Sequence, residues 1–182
     1  MEYKTINLSQ WINENTVGSQ VVVELGAGFF RRLADVNNTV TKRIGIEIYE
    51  PYIKNATFHN CIKIHGDVLK YYDYITRHDY DTVLLVDILE HFNMEDGINL
   101  INNLKKDFKK ILLMLPVGKF EQHEDVTGHE GHEFQTHRSY WYENDIEKLN
   151  FNVNIIDKKF HVTKERIENN LDTGCYFGVW NK

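Results

Sequence analysis

The segment that decides the fold is Val21-Val22-Val23-Glu24-Leu25-Gly26-Ala27-Gly28-Phe29-Phe30. Three consecutive valines, with polar residues before them and glycines after them, predict a short strand that is buried on both faces. The glycines at 26 and 28 allow a sharp turn and a close approach of the backbone to a ligand. Residues 29–34 predict a helix whose N-terminal amides face the same place. The segment therefore predicts a ligand-binding turn at the end of a buried strand.

Further apolar runs follow at regular intervals and also end in acids, glycines or a proline. They predict strands at about 42–48, 61–65, 80–87 and 109–116. The second strand ends at Glu47, which lies 23 residues after Glu24. Doubly wound folds place an acid at about this distance, where its carboxylate accepts hydrogen bonds from the two ribose hydroxyls of a nucleotide cofactor. Because the strands alternate with helical stretches, a doubly wound α/β sheet is the predicted fold.

The pattern of glycines separates two classes of cofactor. A dinucleotide-binding fingerprint needs a third glycine where this chain has Arg31. This difference weakens the assignment of the chain as a nicotinamide-dependent oxidoreductase. The strand, acid and Gly-x-Gly pattern instead resembles the first motif of the class I S-adenosylmethionine-dependent methyltransferases. The segment Asp87-Ile88-Leu89-Glu90-His91 resembles the segment after the fourth strand of that family. The chain departs from the family at Phe30, where a third glycine is common.

The resemblance implies a Rossmann-like α/β fold for one methyltransferase-like domain spanning 1–182. It implies seven strands, mostly parallel, with helices on both faces and a C-terminal antiparallel hairpin. We expect the hairpin strands at about 151–162 and 175–180, after a helix at about 140–149. Residues 1–19 predict a lead-in helix, with Ser9 as its candidate cap, that either closes over the cofactor or packs at the sheet edge.

The resemblance also implies a cofactor, S-adenosyl-L-methionine, and the residues that would bind it. Glu24 would orient the first turn, and Gly26 and Gly28 would admit the amino acid portion of the cofactor. Glu47 would hold the ribose, with Ile48 beside it. The remaining residues of the implied set would frame the adenine or line the floor near the sulfur, and they are Asp67, Val68, Asp87, Ile88 and Leu89.

The stretch 116–139 is a predicted loop with four of the nine histidines. Three interpretations stay open, namely a solvated polar loop, an acceptor-binding loop with a proton-accepting histidine, and a metal site. His132 and His137 are five positions apart, whereas the helical zinc motif needs four. We therefore assign no metal ligand from the sequence. The candidate catalytic residues are His91 and His137, because an imidazole can accept a proton near neutral pH.

Composition and charge reduce the number of partner classes that are compatible with the sequence. A formal charge of −6 and the lack of a long basic run disfavour a nucleic-acid partner, and no apolar run is long enough to cross a membrane. The N-terminus shows no secretory signal, so we expect a cytoplasmic protein with both cysteines reduced. We predict methyl transfer to an oxygen or nitrogen of a small molecule, such as a sugar or biosynthetic intermediate. A non-catalytic binding domain and a metal-dependent enzyme that uses the His-rich loop are the alternatives, and the aromatic content is compatible with a homodimer.

Overall fold

The computed structural model describes residues 1–75, 80–123, 133–160 and 174–182. In this part of the chain the strands are β1 (Glu2–Tyr3), β2 (Val21–Leu25), β3 (Lys42–Glu47), β4 (Ile62–His65), β5 (Thr82–Val86), β6 (Lys110–Pro116), β7 (Val153–Asp157) and β8 (Cys175–Asn181). The α-helices are α1 (Leu8–Asn15), α2 (Arg32–Asp35), α3 (Glu50–Lys54), α4 (Met94–Asp107) and α5 (Glu143–Lys148). Short 3-10 helices cover Val68–Asp73, Leu89–His91 and Glu133–Gln135.

The strands form one mixed sheet in the order β1-β7-β8-β6-β5-β2-β3-β4. Neighbouring strands are parallel except at β8, which runs antiparallel to both β6 and β7. The predicted doubly wound sheet with a C-terminal hairpin is therefore confirmed. The predicted number of strands is wrong, because β1 pairs with β7 as an eighth strand. This strand has only two residues, both exposed, so it carries no apolar pattern that could predict it.

β2 lies at the centre of the sheet, because it pairs with β3 on one side and β5 on the other. Alternate side chains of β2 enter two different cores. Val23 and Leu25 belong to the core that also contains residues of α4 and α5, whereas Val22 belongs to the core that contains residues of α1 and α2. The helices therefore cover both faces, and the consecutive valines are explained by burial on both sides.

Several sequence-based boundaries differ from the structure, among them the helix predicted at 29–34, which is α2 at Arg32–Asp35. The predicted strand at 151–162 is shorter, since β7 ends at Asp157 and a turn follows at 158–160, while 161 and 162 lie outside the described residues. The predicted helix at 140–149 is limited to α5, which begins after Tyr142. The cap of α1 is Asn7 and not Ser9, because the Asn7 side chain accepts a hydrogen bond from the Gln10 amide at 3.0 Å.

The lead-in helix α1 packs against the sheet. Its buried residues Leu8, Trp11 and Ile12 belong to the same core as Val22, and the Trp11 ring lies 5.3 Å from that of Phe177. The helix therefore packs on one face of the sheet, in the same core as the central strand β2. Within the described residues the longest helix has 14 residues, and none combines the length and apolar character that a bilayer crossing requires.

Candidate functional site

A cavity of about 590 Å³ lies at the carboxyl ends of the central parallel strands. In doubly wound sheets ligands bind where the strand order reverses, which here is between β2 and β5. The cavity is lined by Gly26, Gly28, Glu47, Ile48, Asp67, Val68, Asp87, Ile88, His91, Phe92, Phe134, Gln135 and Arg138. The structure thus brings together eight of the ten residues that the resemblance implied for the cofactor.

The turn after β2 requires glycine at its first position. Gly26 has φ of +71°, and a Cβ added to it would lie 2.4 Å from Cδ1 of Ile88. The amides of Gly26 and Ala27 both donate to the Ile46 carbonyl, at 2.9 and 3.0 Å. The turn is therefore fastened to β3, and the backbone packs directly on the segment that follows β5.

Phe30 replaces the third glycine of the family pattern and is fully buried, with φ of +63°. Its ring packs on Gly45 of β3, where an added Cβ would lie 2.5 Å from Cε1 of Phe30. The left-handed conformation of a non-glycine residue costs about 1–2 kcal/mol, which this burial offsets. The turn therefore keeps a glycine-like backbone at position 30 while adding an aromatic ring to the core.

Glu47 ends β3 at the floor of the cavity. One carboxylate oxygen accepts from the Gly28 amide and the other from the Tyr49 amide, each at 2.8 Å. Burial raises the pKa of Glu47, while the hydrogen bonds from Tyr49 and Gly28 act in the opposite direction. A carboxylate has about four lone-pair sites, and the amide of Ile48 also contributes a backbone hydrogen bond, so part of the acceptor capacity remains for hydroxyl donors. The residue is thus fixed in orientation and still able to accept from a ligand.

The other implied cofactor residues differ in how they reach the cavity. Asp67 caps the 3-10 helix that follows β4, because its side chain accepts from the Leu69 amide at 2.9 Å. Asp87 has φ of +49°, which turns the chain sharply at the end of β5. Leu89 is fully buried in the core beneath the site and lines neither this cavity nor the neighbouring cleft. Leu89 therefore supports the turn after β5 by packing in the core beneath it.

Glu24 lies behind the turn rather than in the first cavity. Its side chain is buried, and one carboxylate oxygen has no hydrogen-bond partner in the described part of the chain. Burial raises the pKa of Glu24 well above its ordinary range, although the charge of Arg32 acts in the opposite direction. The carboxyl group therefore carries a desolvation cost that nearby donors do not remove.

A second cleft of about 1220 Å³ adjoins the first cavity. The two share Gly26, Gly28, Asp87, His91 and Gln135 among their lining residues. The second cleft is also lined by the aromatic residues Phe29, Tyr52 and Phe120, by Arg31 and Arg32, and by His137. A ligand in the first cavity could therefore meet a second molecule that enters through the cleft.

The two candidate catalytic histidines lie together at this junction. The rings of His91 and His137 are 4.9 Å apart in an edge-to-face arrangement. His91 Nδ1 lies 3.3 Å from the Thr136 carbonyl, and His137 Nδ1 lies 2.6 Å from the Phe120 carbonyl. Burial, aided by the charge of His137, lowers the pKa of His91 to about 4, so its imidazole is neutral at physiological pH.

Glu90 is a site residue that the sequence analysis did not assign. It is 2% exposed, lines the second cleft, and has one carboxylate oxygen without a hydrogen-bond partner among the described residues. Burial first, and then the charge of Asp87, raises the pKa of Glu90 well above its ordinary range. Its position directly before His91, in the segment that follows the fourth predicted strand, was the signal that could have identified it.

Backbone contacts bring the loop after β6 to the turn after β5. The Glu90 carbonyl accepts from the amides of Arg138 and Ser139 at 2.7 and 3.1 Å. The Ser139 hydroxyl donates to the Leu89 carbonyl at 3.3 Å and accepts from the buried indole of Trp141 at 3.0 Å. These contacts determine that His137 lies beside His91.

The described ends of the His-rich stretch have little regular structure. Residues 117 and 118 form isolated bridges with Trp141, and Glu133–Gln135 is a single 3-10 turn. His123 is exposed, whereas His129 and His132 lie outside the described residues. Of the four histidines in the stretch, the structure therefore brings His137 to the site.

Several solved structures have the same fold. A SAM dependent methyltransferase from Archaeoglobus fulgidus is 17% identical, with a TM-score of 0.61, and the match covers 92% of this chain and 88% of that one. TehB from Haemophilus influenzae is 14% identical with a TM-score of 0.68, covering 97% and 62%. The N-terminal domain of EvdMO1, determined in the presence of SAH and D-fucose, is 15% identical with a TM-score of 0.65, covering 95% and 80%. No protein-family model and no curated protein matches the sequence. The structural likenesses establish the fold.

Proposed function

We propose that this protein is an S-adenosylmethionine-dependent methyltransferase that acts on an oxygen or nitrogen of a small molecule. The observation that carries the proposal is the carboxylate of Glu47, which is held by two backbone amides at the floor of a cavity between β2 and β5. The likeness to methyltransferase structures supports the same activity.

The residues of the cavity fit this cofactor. The left-handed turn at Gly26 and Gly28 leaves backbone exposed to the cavity, where the amino acid portion would bind. The remaining acceptor capacity of Glu47 would serve the ribose hydroxyls, and Asp67 with Val68 would frame the adenine. When bound, S-adenosylmethionine supplies an electrophilic methyl group, and transfer to a protonated acceptor atom leaves S-adenosylhomocysteine and one proton.

The protein's own contribution is to position the acceptor and exclude water. We assign the acceptor to the second cleft, because this cleft shares the lining residues Asp87 and His91 with the first cavity. His91 and His137 lie at this junction and are the groups that we assign to the acceptor side. We propose a small metabolite, such as a sugar or biosynthetic intermediate, because the cleft offers aromatic rings beside arginines and because the structurally similar EvdMO1 domain was crystallised with D-fucose.

Calorimetric titration with S-adenosylmethionine and S-adenosylhomocysteine tests the cofactor assignment. We expect saturable binding in the micromolar range and at least a tenfold loss in Glu47→Ala, which corresponds to about 1.4 kcal/mol. The matched control is Glu50→Ala, because Glu50 is exposed and its ion pair with Lys54 lies on the surface of α3. The control should bind within about twofold of the unmodified protein.

Two outcomes would separate the alternatives. If the folded protein binds neither ligand, the methyltransferase assignment is wrong. If it binds both ligands but releases no S-adenosylhomocysteine with a broad panel of small acceptors, the result favours a non-catalytic binding domain.

A further inference from the structure

Three buried side chains with metal-ligating atoms converge at the junction of the two cavities. They are Glu90, His91 and His137, and one ligand atom from each lies within 4.8 Å of the others. Donors around a cation at bond lengths of about 2.0–2.2 Å are separated by about 3.0–3.5 Å. The three side chains therefore need to close inward by only about an ångström to share one ion.

The two imidazoles have the orientation of metal-binding histidines. Nδ1 of His91 and Nδ1 of His137 each contact a backbone carbonyl, which can only accept a hydrogen bond. Both protons are therefore assigned to Nδ1, and the lone pair of each ring is on Nε2. Histidines that bind metals commonly donate their second ring N–H to a carbonyl in this way, which fixes the ring and its tautomer.

Glu90 supplies a buried carboxylate with one uncompensated oxygen. The residue is 2% exposed, and that oxygen has no hydrogen-bond partner in the described part of the chain. A buried carboxylate oxygen without a partner is unfavourable unless a cation or a donor compensates for it. Glu90 and the two imidazoles form one group of potential ligands at the wall of the second cleft.

We propose that Glu90, His91 and His137 bind a divalent first-row transition cation such as Mn²⁺, Co²⁺ or Zn²⁺. Two imidazoles and one carboxylate suit these borderline cations better than Mg²⁺ or Ca²⁺, which prefer ligand sets made of oxygen. Three protein ligands also leave coordination positions for other molecules, as in catalytic metal sites. The sequence analysis assigned no metal ligand because it compared spacings within the His-rich loop, whereas His91 lies 46 residues before His137.

The position of the site gives the cation a role on the acceptor side. His91 lines both cavities, and Glu90 and His137 line the cleft that we assign to the acceptor. The cation would hold an acceptor through its oxygen atoms, and the two histidines would then act as ligands instead of proton acceptors. Binding of the cation is independent of methyl transfer, whereas this acceptor role rests on the proposed function.

The test is a titration of the metal-free full-length protein with Co²⁺, followed by visible absorption. Mn²⁺ and Zn²⁺ retained after dialysis are measured by elemental analysis. We expect one equivalent of Co²⁺ per chain and at least tenfold weaker binding in Glu90→Gln and in His137→Gln. The matched controls are Glu95→Gln on the exposed side of α4 and His59→Gln, which is exposed beside Lys63. Both controls should bind Co²⁺ within about twofold of the unmodified protein.

Circular dichroism and affinity for S-adenosylhomocysteine show whether each variant remains folded. Absence of stoichiometric Co²⁺ binding, or equal binding by the unmodified protein, Glu90→Gln and His137→Gln, would overturn the proposal. Because the titration needs no cofactor, the two proposals fail separately. Cation binding without S-adenosylhomocysteine binding would leave the metal site standing and remove the methyltransferase assignment, and the reverse result would remove only the metal site.

Discussion

The first cavity, which we assign to the cofactor and call the cofactor cavity, differs in its sequence signal from the acceptor-side group of Glu90, His91 and His137. In the cavity, Gly26, Glu47 and Asp87 each end a strand or directly follow one, so parallel pairing alone brings them together. In the acceptor-side group, His137 reaches His91 only through a loop that is hydrogen-bonded to the turn after β5. A site whose residues lie at the ends of parallel strands can be predicted from the sequence. A site that depends on the path of a loop can be identified only from the tertiary structure.

The buried carboxylates of the two regions differ in how many of their oxygens accept hydrogen bonds. Both oxygens of Glu47 accept from backbone amides, whereas one oxygen of Glu90 has no partner among the described residues. Glu47 is thus compensated by its own turn, and its position depends on local backbone. Glu90 keeps one buried oxygen that no described residue pairs, so the two regions should respond differently to substitution.

The largest effect is expected at the cofactor turn. In Gly26→Ala the added Cβ would meet Ile88 at 2.4 Å, in a backbone conformation with φ of +71°. We expect a loss of about 3 kcal/mol in the free energy of unfolding, from crowding and from the left-handed conformation together. Gly28→Ala is the matched control, because its φ is +51° but no atom lies within 4 Å. It should lose about 1 kcal/mol in urea denaturation.

The double variant Gly26→Ala with Ile88→Ala tests the cause. If crowding dominates, the second substitution should recover part of the loss, and the two effects should be non-additive. Equal losses in the Gly26 and Gly28 variants would show that the close approach between the turn and the segment after β5 is unimportant. The cofactor turn would then not depend on tight backbone packing between strand ends, which is the feature that we use to distinguish it from the acceptor-side group.

An intermediate effect is expected where the loop joins the acceptor side. Ser139→Ala removes the hydroxyl that accepts from the Trp141 indole and leaves a buried donor without a partner. We expect a loss of about 1–2 kcal/mol in the free energy of unfolding. Because Ser139 also fastens the loop to Leu89, Co²⁺ affinity should fall while affinity for S-adenosylhomocysteine stays within about twofold.

Ser9→Ala is the control for this variant, since Ser9 is exposed on α1 and does not cap the helix. It should leave both affinities and the stability unchanged. A parallel loss of cofactor and cation affinity in Ser139→Ala would contradict the independence of the two regions.

The smallest effect depends on pH and concerns Glu24. Burial raises its folded-state pKa above the ordinary value of 4.5, so the carboxyl group destabilises the folded state as pH rises through that value. Glu24→Gln should therefore be more stable than the unmodified protein by about 1 kcal/mol near pH 8, and the difference should vanish near pH 4. Urea denaturation at both pH values measures it, with Glu95→Gln as the exposed control. A variant that is less stable at both pH values would indicate a stabilising partner for the Glu24 carboxylate.

The sequence predicted the parts of the fold that depend on long apolar runs. The central strands and the hairpin were found because burial on both faces requires consecutive Val, Ile and Leu. β1 was missed because two exposed residues have no such pattern. The cap of α1 was assigned to Ser9 instead of Asn7, since both residue types cap helices and only backbone geometry separates them.

The sequence by itself determined the doubly wound sheet and most of the residues that line the cofactor cavity. The sheet follows from periodicity, from glycines at a turn and from acids at strand ends, which are local properties of the chain, and the cavity residues follow from the resemblance to class I methyltransferases. Only the tertiary structure decided that Glu90 joins His91 and His137, that Phe30 packs on Gly45, and that Leu89 supports the site from the core. The physical reason is that these contacts join residues from different elements, and no local pattern encodes the distance between them.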